Sequence, residues 1–220
     1  MNSTIKYFGV ILLAFLCVNC GGVKVLDAWK STNASTFKDK NVLVIARSNN
    51  KSARIAFERD ISDKLIAKGI KATPSYSKFP PLDASKEMTD ERKQMIREIL
   101  NNEGFDAIVL TSVKDVRERT TTSGNNYYFN DPWNTFYPSY YGNFYGYYYQ
   151  PYVYGVTIGD TSPRTYTTKT YYLETVAFNL DADENDQLIA VVTTTIEDPK
   201  DAYKTAGKYT EEIMKALSKQ

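Results

Sequence analysis

Runs of apolar residues divide positions 41–220 of the chain into strands and helices. A continuous apolar run at 42–46 predicts a strand that is covered on both faces. Apolar residues then recur at every fourth position through 52–68, which predicts an amphipathic helix, and Gly69 follows where a C-terminal cap is expected. The same reasoning predicts further strands at 69–75, 107–122, 166–180 and 187–196, and a further helix at 85–102.

A last helix is predicted at the C-terminal end, with Asp198 as its N-cap and Pro199 at its first position. The element order is then βαβαβ, an insert at 124–163, and ββα. Helical crossovers between strands favour a parallel portion of sheet, and the closing hairpin adds an antiparallel portion. We therefore predict one domain over 41–220 of the α/β (α+β) class, with a single mixed sheet and three helices packed on it. The mostly polar residues 20–40 predict a tether that ends at most in a short edge strand.

The first nineteen residues have the pattern of an export signal. A basic residue precedes an apolar run at 7–18, which is shorter than the about 20 residues that a membrane-spanning helix needs. Cys20 follows, and a cysteine in this place resembles the lipobox of bacterial lipoproteins, although Cys17 and Asn19 replace the usual residues there. We predict a signal peptide over 1–19 and a lipid anchor on Cys20. Ordinary cleavage to a soluble periplasmic protein and an uncleaved short anchor are the alternatives.

Composition excludes several classes of function. The chain has 27 Lys and Arg, 26 Asp and Glu, and no His. Because basic and acidic residues are nearly equal in number, the chain does not have the basic excess that is typical of nucleic-acid binders, and we expect no nucleic-acid partner. Without His, and with Cys20 acylated, nucleophile systems and zinc sites that use imidazole or thiolate are excluded. There is no phosphate loop and no dinucleotide motif, so we expect no cofactor, no metal site and no catalytic residue.

The insert at 124–163 has an unusual composition. Its stretch 127–154 holds eleven of the 18 tyrosines of the chain, interleaved with Gly, Asn and Pro and almost free of charge. The plainest interpretation is a loosely packed or disordered low-complexity loop. Because Tyr and Trp suit amphipathic surfaces, self-association or a protein partner is the functional alternative, followed by contact with a membrane or a glycan. The candidate contact residues are Tyr127, Tyr128, Trp133, Tyr137, Tyr140, Tyr141, Tyr145, Tyr147 and Tyr148.

Other charged and polar residues have structural interpretations. The D-x-D-x-N sequence at 181–185 matches the opening of a calcium loop but lacks the glycine and the final glutamate, so a hairpin turn is predicted. Arg54 and Glu58 are expected to form an ordinary ion pair on a solvated helix face. Alternating charge on half-exposed strands explains three glutamates better than an acid/base pair does. These are Glu118, Glu174 and Glu197.

Three stretches of the chain resemble a group of uncharacterised bacterial lipoproteins. They are ARIAFERDISDKLIAKGIKATPSYSKFP at 53–80, GFDAIVLTSVKDV at 104–116 and YLETVAFNLDADENDQLIAVVTTTIEDP at 172–199. The resemblance covers about residues 40–218 and implies the fold given above, but no activity, because the group has none assigned. The topology is also similar to the amino-terminal domain of the Tol-system protein TolB and to the curli-channel lipoprotein, which both serve envelope assembly.

These observations predict a lipid-anchored protein of the bacterial cell envelope that is a non-catalytic binding or assembly module. Its partners would be the membrane, through the lipid, and a protein or a second copy, through the insert. Gly21-Gly22 lacks the Asp that retains some lipoproteins on the inner membrane, which favours the outer membrane. The alternative is a carboxylate-based hydrolase of envelope glycan with the insert as an aromatic platform. A purely structural surface protein is a third hypothesis.

Overall fold

A computed structural model of the chain describes residues 22–79, 89–121, 143–149 and 166–219. The strands in these ranges are β1 (Gly22–Lys30), β2 (Asn41–Arg47), β3 (Lys71–Pro74), β4 (Ala107–Thr121), β5 (Tyr166–Asn179) and β6 (Leu188–Glu197). The α-helices are α1 (Lys51–Ala67), α2 (Asp90–Asn102), α3 (Phe144–Tyr149) and α4 (Ala202–Ser218). Short 3₁₀ helices are found at Thr32–Asp39 and Ser75–Ser77.

The described strands form one mixed sheet in the order β1-β6-β5-β4-β2-β3. β2 runs parallel to both of its neighbours, because α1 and α2 return the chain between successive strands. The pairs β4–β5, β5–β6 and β1–β6 are antiparallel. The predicted α/β class with a single mixed sheet is confirmed. α3 is additional to the elements that the sequence predicts, and β1 is longer than the short edge strand that the sequence allows at 20–40.

β1 replaces most of the segment that the sequence predicts to be a tether. It pairs with β6 along its whole length, and a 3₁₀ helix follows it directly. A register shift between Val25 and Asp27 interrupts the alternation of apolar residues, so the sequence pattern does not show a full strand. The described residues 22–40 of the predicted tether 20–40 are therefore part of the fold.

Buried apolar side chains cover both faces of the sheet. On the first face, which α1 and α4 cover, the rings of Phe57 and Tyr209 have centroids 4.9 Å apart. On the second face, which α2 and α3 cover, the rings of Phe144 and Phe178 have centroids 6.0 Å apart. Residues 42–46 of β2 are all buried and contribute alternately to the two faces, as expected for a strand that is covered on both sides.

Local signals at both ends fix the length of α1. The side chain of Asn50 caps its start by accepting a hydrogen bond of 3.0 Å from the N–H of Ala53. Its end is formed by Gly69, whose φ of 81° is a conformation that favours glycine. The N–H of Ile70 then bonds back to the carbonyl of Leu65, which completes the cap.

The start of α4 differs from the prediction. Asp201 is the N-cap, and its carboxylate accepts a hydrogen bond of 2.9 Å from the N–H of Lys204. The predicted cap, Asp198, instead accepts a hydrogen bond of 2.7 Å from the N–H of Lys169 on β5. Because this bond and a positive φ of 42° at Asp198 form the turn after β6, the helix begins later than Pro199.

The register of β4 and β5 shifts in the middle of the ribbon. Val113 lies opposite Leu173 and Asp115 opposite Tyr172, so Lys114 is the extra residue of a β-bulge. A bulge interrupts strict alternation, and bulges are common next to functional sites.

Residues 1–21 lie outside the described ranges, and the signal peptide and the lipid anchor on Cys20 stay predictions. Within the described part of the chain, no helix has the length and apolar character needed to cross a membrane.

Candidate functional site

One edge of the sheet brings together features that are far apart in the sequence. It contains the start of β1 and the end of β6, where Gly22 lies opposite Glu197, and Glu197 lies opposite Thr170 of β5. α1 and α4 both begin at this edge, after β2 and after β6. β4 and β5 continue past it as a ribbon in which residues 118–121 pair with 166–169. We name this the insert edge, because the chain leaves β4 here for the insert and returns to β5.

A cavity of about 400 Å³ opens at the insert edge on the first face. Its lining includes the buried side chains of Phe57, Leu173 and Ile196, and its rim includes the exposed residues Asn50 and Lys200. The size falls within the range of small-molecule sites, which are mostly apolar with a few polar groups. Its position at the carboxyl end of a parallel strand is where open α/β sheets bind ligands.

Hydroxyl groups under the cavity satisfy one another. Thr111 lines the cavity, and its hydroxyl lies 2.7 Å from that of Thr175, which lies 2.6 Å from the hydroxyl of Tyr209. Burial raises the pKa of Tyr209, so its phenol stays neutral. Among the described lining residues there is no Asp, Glu, His or Cys.

On the second face, a lysine and a glutamate are buried together near the insert edge. Lys114 is 1% exposed and Glu174 is 3% exposed, and the Nζ and Oε1 atoms are 3.1 Å apart. Burial lowers the pKa of Lys114, although the carboxylate of Glu174 opposes this by favouring the charged form. The prediction of a half-exposed Glu174 is wrong, because β4 and β6 flank it on both sides and the face is covered here. The sequence signal for Lys114 is a lysine inside an otherwise strand-like apolar pattern.

A second ion pair follows along β4. Asp115 is buried, and its carboxylate lies 2.9 Å from Nε of Arg117, whose guanidinium lies 4.6 Å from the ring centroid of Tyr172. Buried ion pairs contribute little net stability, because desolvation offsets the attraction. The two pairs thus place charged side chains at successive positions of β4, with Arg117 about a third exposed.

The described part of the insert packs onto the second face as α3. Phe144 and Tyr148 are buried in the core cluster of that face. Arg47 at the end of β2 donates a hydrogen bond of 2.9 Å to the carbonyl of Tyr148, and its guanidinium lies 5.5 Å from the ring centroid. The guanidinium of Arg97 on α2 lies 5.0 Å from the ring of Tyr145, whose pKa is raised by burial. The insert is therefore fastened to the domain at 143–149.

The structure describes few of the predicted contact residues. Tyr145 is half-buried, and Tyr148 is 3% exposed, so the ring of Tyr148 does not form part of an open surface. Tyr147 belongs to α3, and its side chain lies outside the described part of the chain. The others also lie outside it, namely Tyr127, Tyr128, Trp133, Tyr137, Tyr140 and Tyr141.

Arg54 and Glu58 form the predicted ion pair, with Nε and Oε1 2.9 Å apart, but not on a solvated face. Glu58 is fully buried and Arg54 is 9% exposed. The carboxylate of Glu58 also accepts hydrogen bonds from the N–H of Ala46 at 3.0 Å, the hydroxyl of Ser75 at 2.7 Å and the N–H of Tyr76 at 2.6 Å. The expectation of a solvated pair is wrong because the turn after β3 covers this side of α1. The network joins that turn to the end of β2.

The glutamates considered as an acid/base pair do not come together. Glu118 pairs with Lys169 across the ribbon at 2.6 Å, Glu174 pairs with Lys114, and Glu197 is exposed at the end of β6. Residues 181–185 lie in the turn between β5 and β6. Among the described residues, no group of His, Cys, Asp or Glu side chains could hold a metal ion.

Comparisons with known proteins give distant structural likenesses. No family model matches the sequence, and no curated protein matches it. The chain is similar in structure to PelC, a dodecamer from Paraburkholderia phytofirmans, with 10% identity, a TM-score of 0.41, and coverage of 90% of this chain and 97% of that chain. It is also similar to a DUF4136 family protein from Bacteroides thetaiotaomicron VPI-5482, with 14% identity, a TM-score of 0.34, and coverage of 90% and 95%. At these identities and scores, neither likeness assigns the chain to a family or to a role.

Proposed function

We propose that the chain is a non-catalytic binding module of the bacterial cell envelope, anchored by a lipid on Cys20 and making its contacts through the insert edge. The observation that supports this most directly is the position of Gly22, the first residue of β1, at that edge. Cys20 is two residues before Gly22 in the sequence, so their Cα atoms can be at most about 7 Å apart. An anchor on Cys20 would hold the insert edge close to the membrane.

The ribbon of β4 and β5 supports a contact at the membrane surface. Its last four pairs, 118–121 with 166–169, extend beyond the row that contains Gly22. At about 3.3 Å per residue, they carry the insert roughly 13 Å farther toward an anchoring membrane. Tyr and Trp, which the insert contains in large number, suit the interface between lipid and water. Its partner would be the membrane surface itself or a protein that is presented there.

Ion pairing of the described carboxylates near the insert edge favours binding over hydrolysis. A carboxylate-based glycosidase needs two carboxyl groups that face a substrate from opposite sides. Near the insert edge, Glu174, Asp115 and Glu118 instead pair with a neighbouring lysine or arginine. Because these three described carboxylates are each occupied by a cation, they support binding rather than hydrolysis.

The anchor is tested by expressing the full chain and its Cys20→Ala variant in a bacterial host and separating membranes from soluble protein. We expect the wild-type chain in the membrane fraction, with the mass of attached acyl groups in its N-terminal peptide. The variant should lack this mass and lose its membrane association. Equal membrane association of the two chains, with no added mass, would contradict the proposed anchor.

The insert is tested in a chain of residues 21–220, which retains every described element but no anchor. We compare it with a variant that lacks 124–141 and keeps α3, so that Phe144 and Tyr148 still fill the core. The intact chain should sediment with anionic phospholipid vesicles or assemble in light scattering, and the shortened chain should remain a folded monomer that does neither. If the intact chain is also a monomer without affinity for vesicles, a contact role for the insert is refuted unless a protein partner is captured by the intact chain alone.

A further inference from the structure

The cavity on the first face lies next to the strand that leads to Cys20. Val23 of β1 lies opposite Ile196, and Ile196 lies opposite Tyr171. Ile196 and Tyr171 both line the cavity, so only one strand spacing of about 4.8 Å separates β1 from its wall. The cavity is therefore close to the start of β1.

The described lining combines apolar and polar residues and contains no negatively charged side chain. Phe57, Leu173 and Ile196 are each less than a tenth exposed and form an apolar part of its buried wall. Of the two cationic residues, Arg47 directs its guanidinium to α3 on the second face, which leaves Lys200 at the rim.

The aspartates beside Lys200 are engaged with backbone groups. The carboxylate of Asp198 accepts a hydrogen bond of 2.7 Å from the N–H of Lys169, and that of Asp201 accepts one of 2.9 Å from the N–H of Lys204. Both carboxylates are thus held by backbone groups in the turn and at the helix cap, and neither residue belongs to the described lining. Within the described lining, Lys200 is the cation that remains at the opening.

These properties exclude several ligand classes. A divalent cation needs oxygen ligands, mainly carboxylates, which the described lining does not supply. A nucleotide needs several cations around its phosphate groups, whereas Arg47 is directed to α3 and Lys200 is the other cation of the described lining. A long apolar chain with one anionic end fits, because the chain would displace water from Phe57, Leu173 and Ile196 while the anion would approach Lys200. We propose that this cavity binds the acyl chain of a fatty-acid-like anion.

The test uses the chain of residues 21–220 and a dansyl-labelled undecanoic acid whose emission rises in an apolar site. We expect saturable binding of one probe per chain and displacement by palmitic acid. Ala202 lines the cavity, and Ala202→Phe should weaken binding by about tenfold or more, because the ring occupies space that the acyl chain would fill. Ala216 lies on the same helix outside the described lining, so Ala216→Phe is the matched control and should bind like the wild type.

Two further variants keep the proposal open to refutation if Ala202→Phe does not fold. Ala53→Leu fills the cavity from α1, and Lys200→Gln removes the cation, which should weaken binding of the acid but not of its uncharged alcohol. Equal affinity of the cavity-filling variants, the control and the wild type would overturn the proposal, and so would absence of binding to the intact chain. If the anchor-free chain binds the probe and the acylated full-length protein does not, the acyl source is the protein's own lipid. The outcome at Cys20 is measured separately and does not affect the result for the anchor-free chain.

Discussion

Replacement of Glu58 by Gln tests the buried network that joins α1, β2 and the turn after β3. In the wild-type chain, four donors converge on the two carboxylate oxygens, and the Nε of Arg54 is one of them. Gln has nearly the same shape but only one acceptor oxygen, and its NH₂ group would face a donor, either the N–H of Tyr76 or the donors on the other oxygen. Arg54, which is 9% exposed, would also lose the negative charge that compensates it.

The expected change in the free energy of unfolding follows from these lost interactions. Leaving one partner of a buried ion pair uncompensated costs about 3–5 kcal/mol, and a buried donor without an acceptor costs about 1–3 kcal/mol. Because the Gln oxygen still accepts some of the hydrogen bonds, we expect Glu58→Gln to lower the free energy of unfolding by about 3 kcal/mol. With a slope of about 2 kcal/mol per molar urea, the midpoint falls by roughly 1.5 M.

The assay is urea unfolding followed by circular dichroism, with Glu211→Gln as a control on an exposed helical surface. The control should change the free energy of unfolding by less than about 0.5 kcal/mol. The Arg54→Met, Glu58→Gln double variant should be more stable than Glu58→Gln alone, because the Gln side chain is kept and no buried charge is left without a partner. Equal midpoints for Glu58→Gln and the control would refute the buried network, and a double variant less stable than Glu58→Gln would refute the role given to the unpaired arginine.

Two other substitutions address the insert edge. Lys114→Met should lower the free energy of unfolding by about 3–5 kcal/mol in urea, because Glu174 is left buried without its cation, whereas Lys114→Met with Glu174→Leu should cost less. Since burial lowers the pKa of Lys114 below 10.5, the unfolded chain binds more protons between the lowered pKa and 10.5. The free energy of unfolding of the wild type should therefore rise with pH in that window relative to the double variant. An equal pH dependence of the two free energies would contradict the lowered pKa. Gly22→Val should speed amide exchange at the start of β1, because a Cβ there would lie 2.6 Å from Cβ of Glu197. The control Lys24→Val, at an exposed position, should leave this exchange unchanged. Unchanged exchange in both variants would refute the close approach of Gly22 to Glu197.

Apolar periodicity predicted the elements whose burial is regular. The apolar run at 42–46 predicted β2, and apolar residues at every fourth position through 52–68 predicted α1 with its cap at Gly69. It did not give β1, because the shift between Val25 and Asp27 moves later apolar residues to the other face. The sequence shows the apolar–polar alternation of a strand only as far as the pairing register of that strand stays constant.

The candidate site depended on tertiary contacts that the sequence does not encode locally. An i, i+4 spacing predicts that Arg54 and Glu58 meet, but not that the turn at Ser75 covers them. The capping signal at Asp198 was misleading, because the same carboxylate that could cap a helix bonds to the backbone of Lys169 on a distant strand. The bulge at Lys114 is equally invisible, since it is defined only by the partner strand.

The pairing of β1 with β6 also sets the order in which this protein can mature. The two strands lie near opposite ends of the described chain, and β6 is available only when almost the whole polypeptide has been made or moved to its destination. Until then, β1 has no partner at its own edge of the sheet, and closing so long a loop is intrinsically slow. β1 therefore stays unpaired through most of synthesis. The last helix, α4, follows β6 in the chain, so the first face is covered around the cavity only after both strands are available.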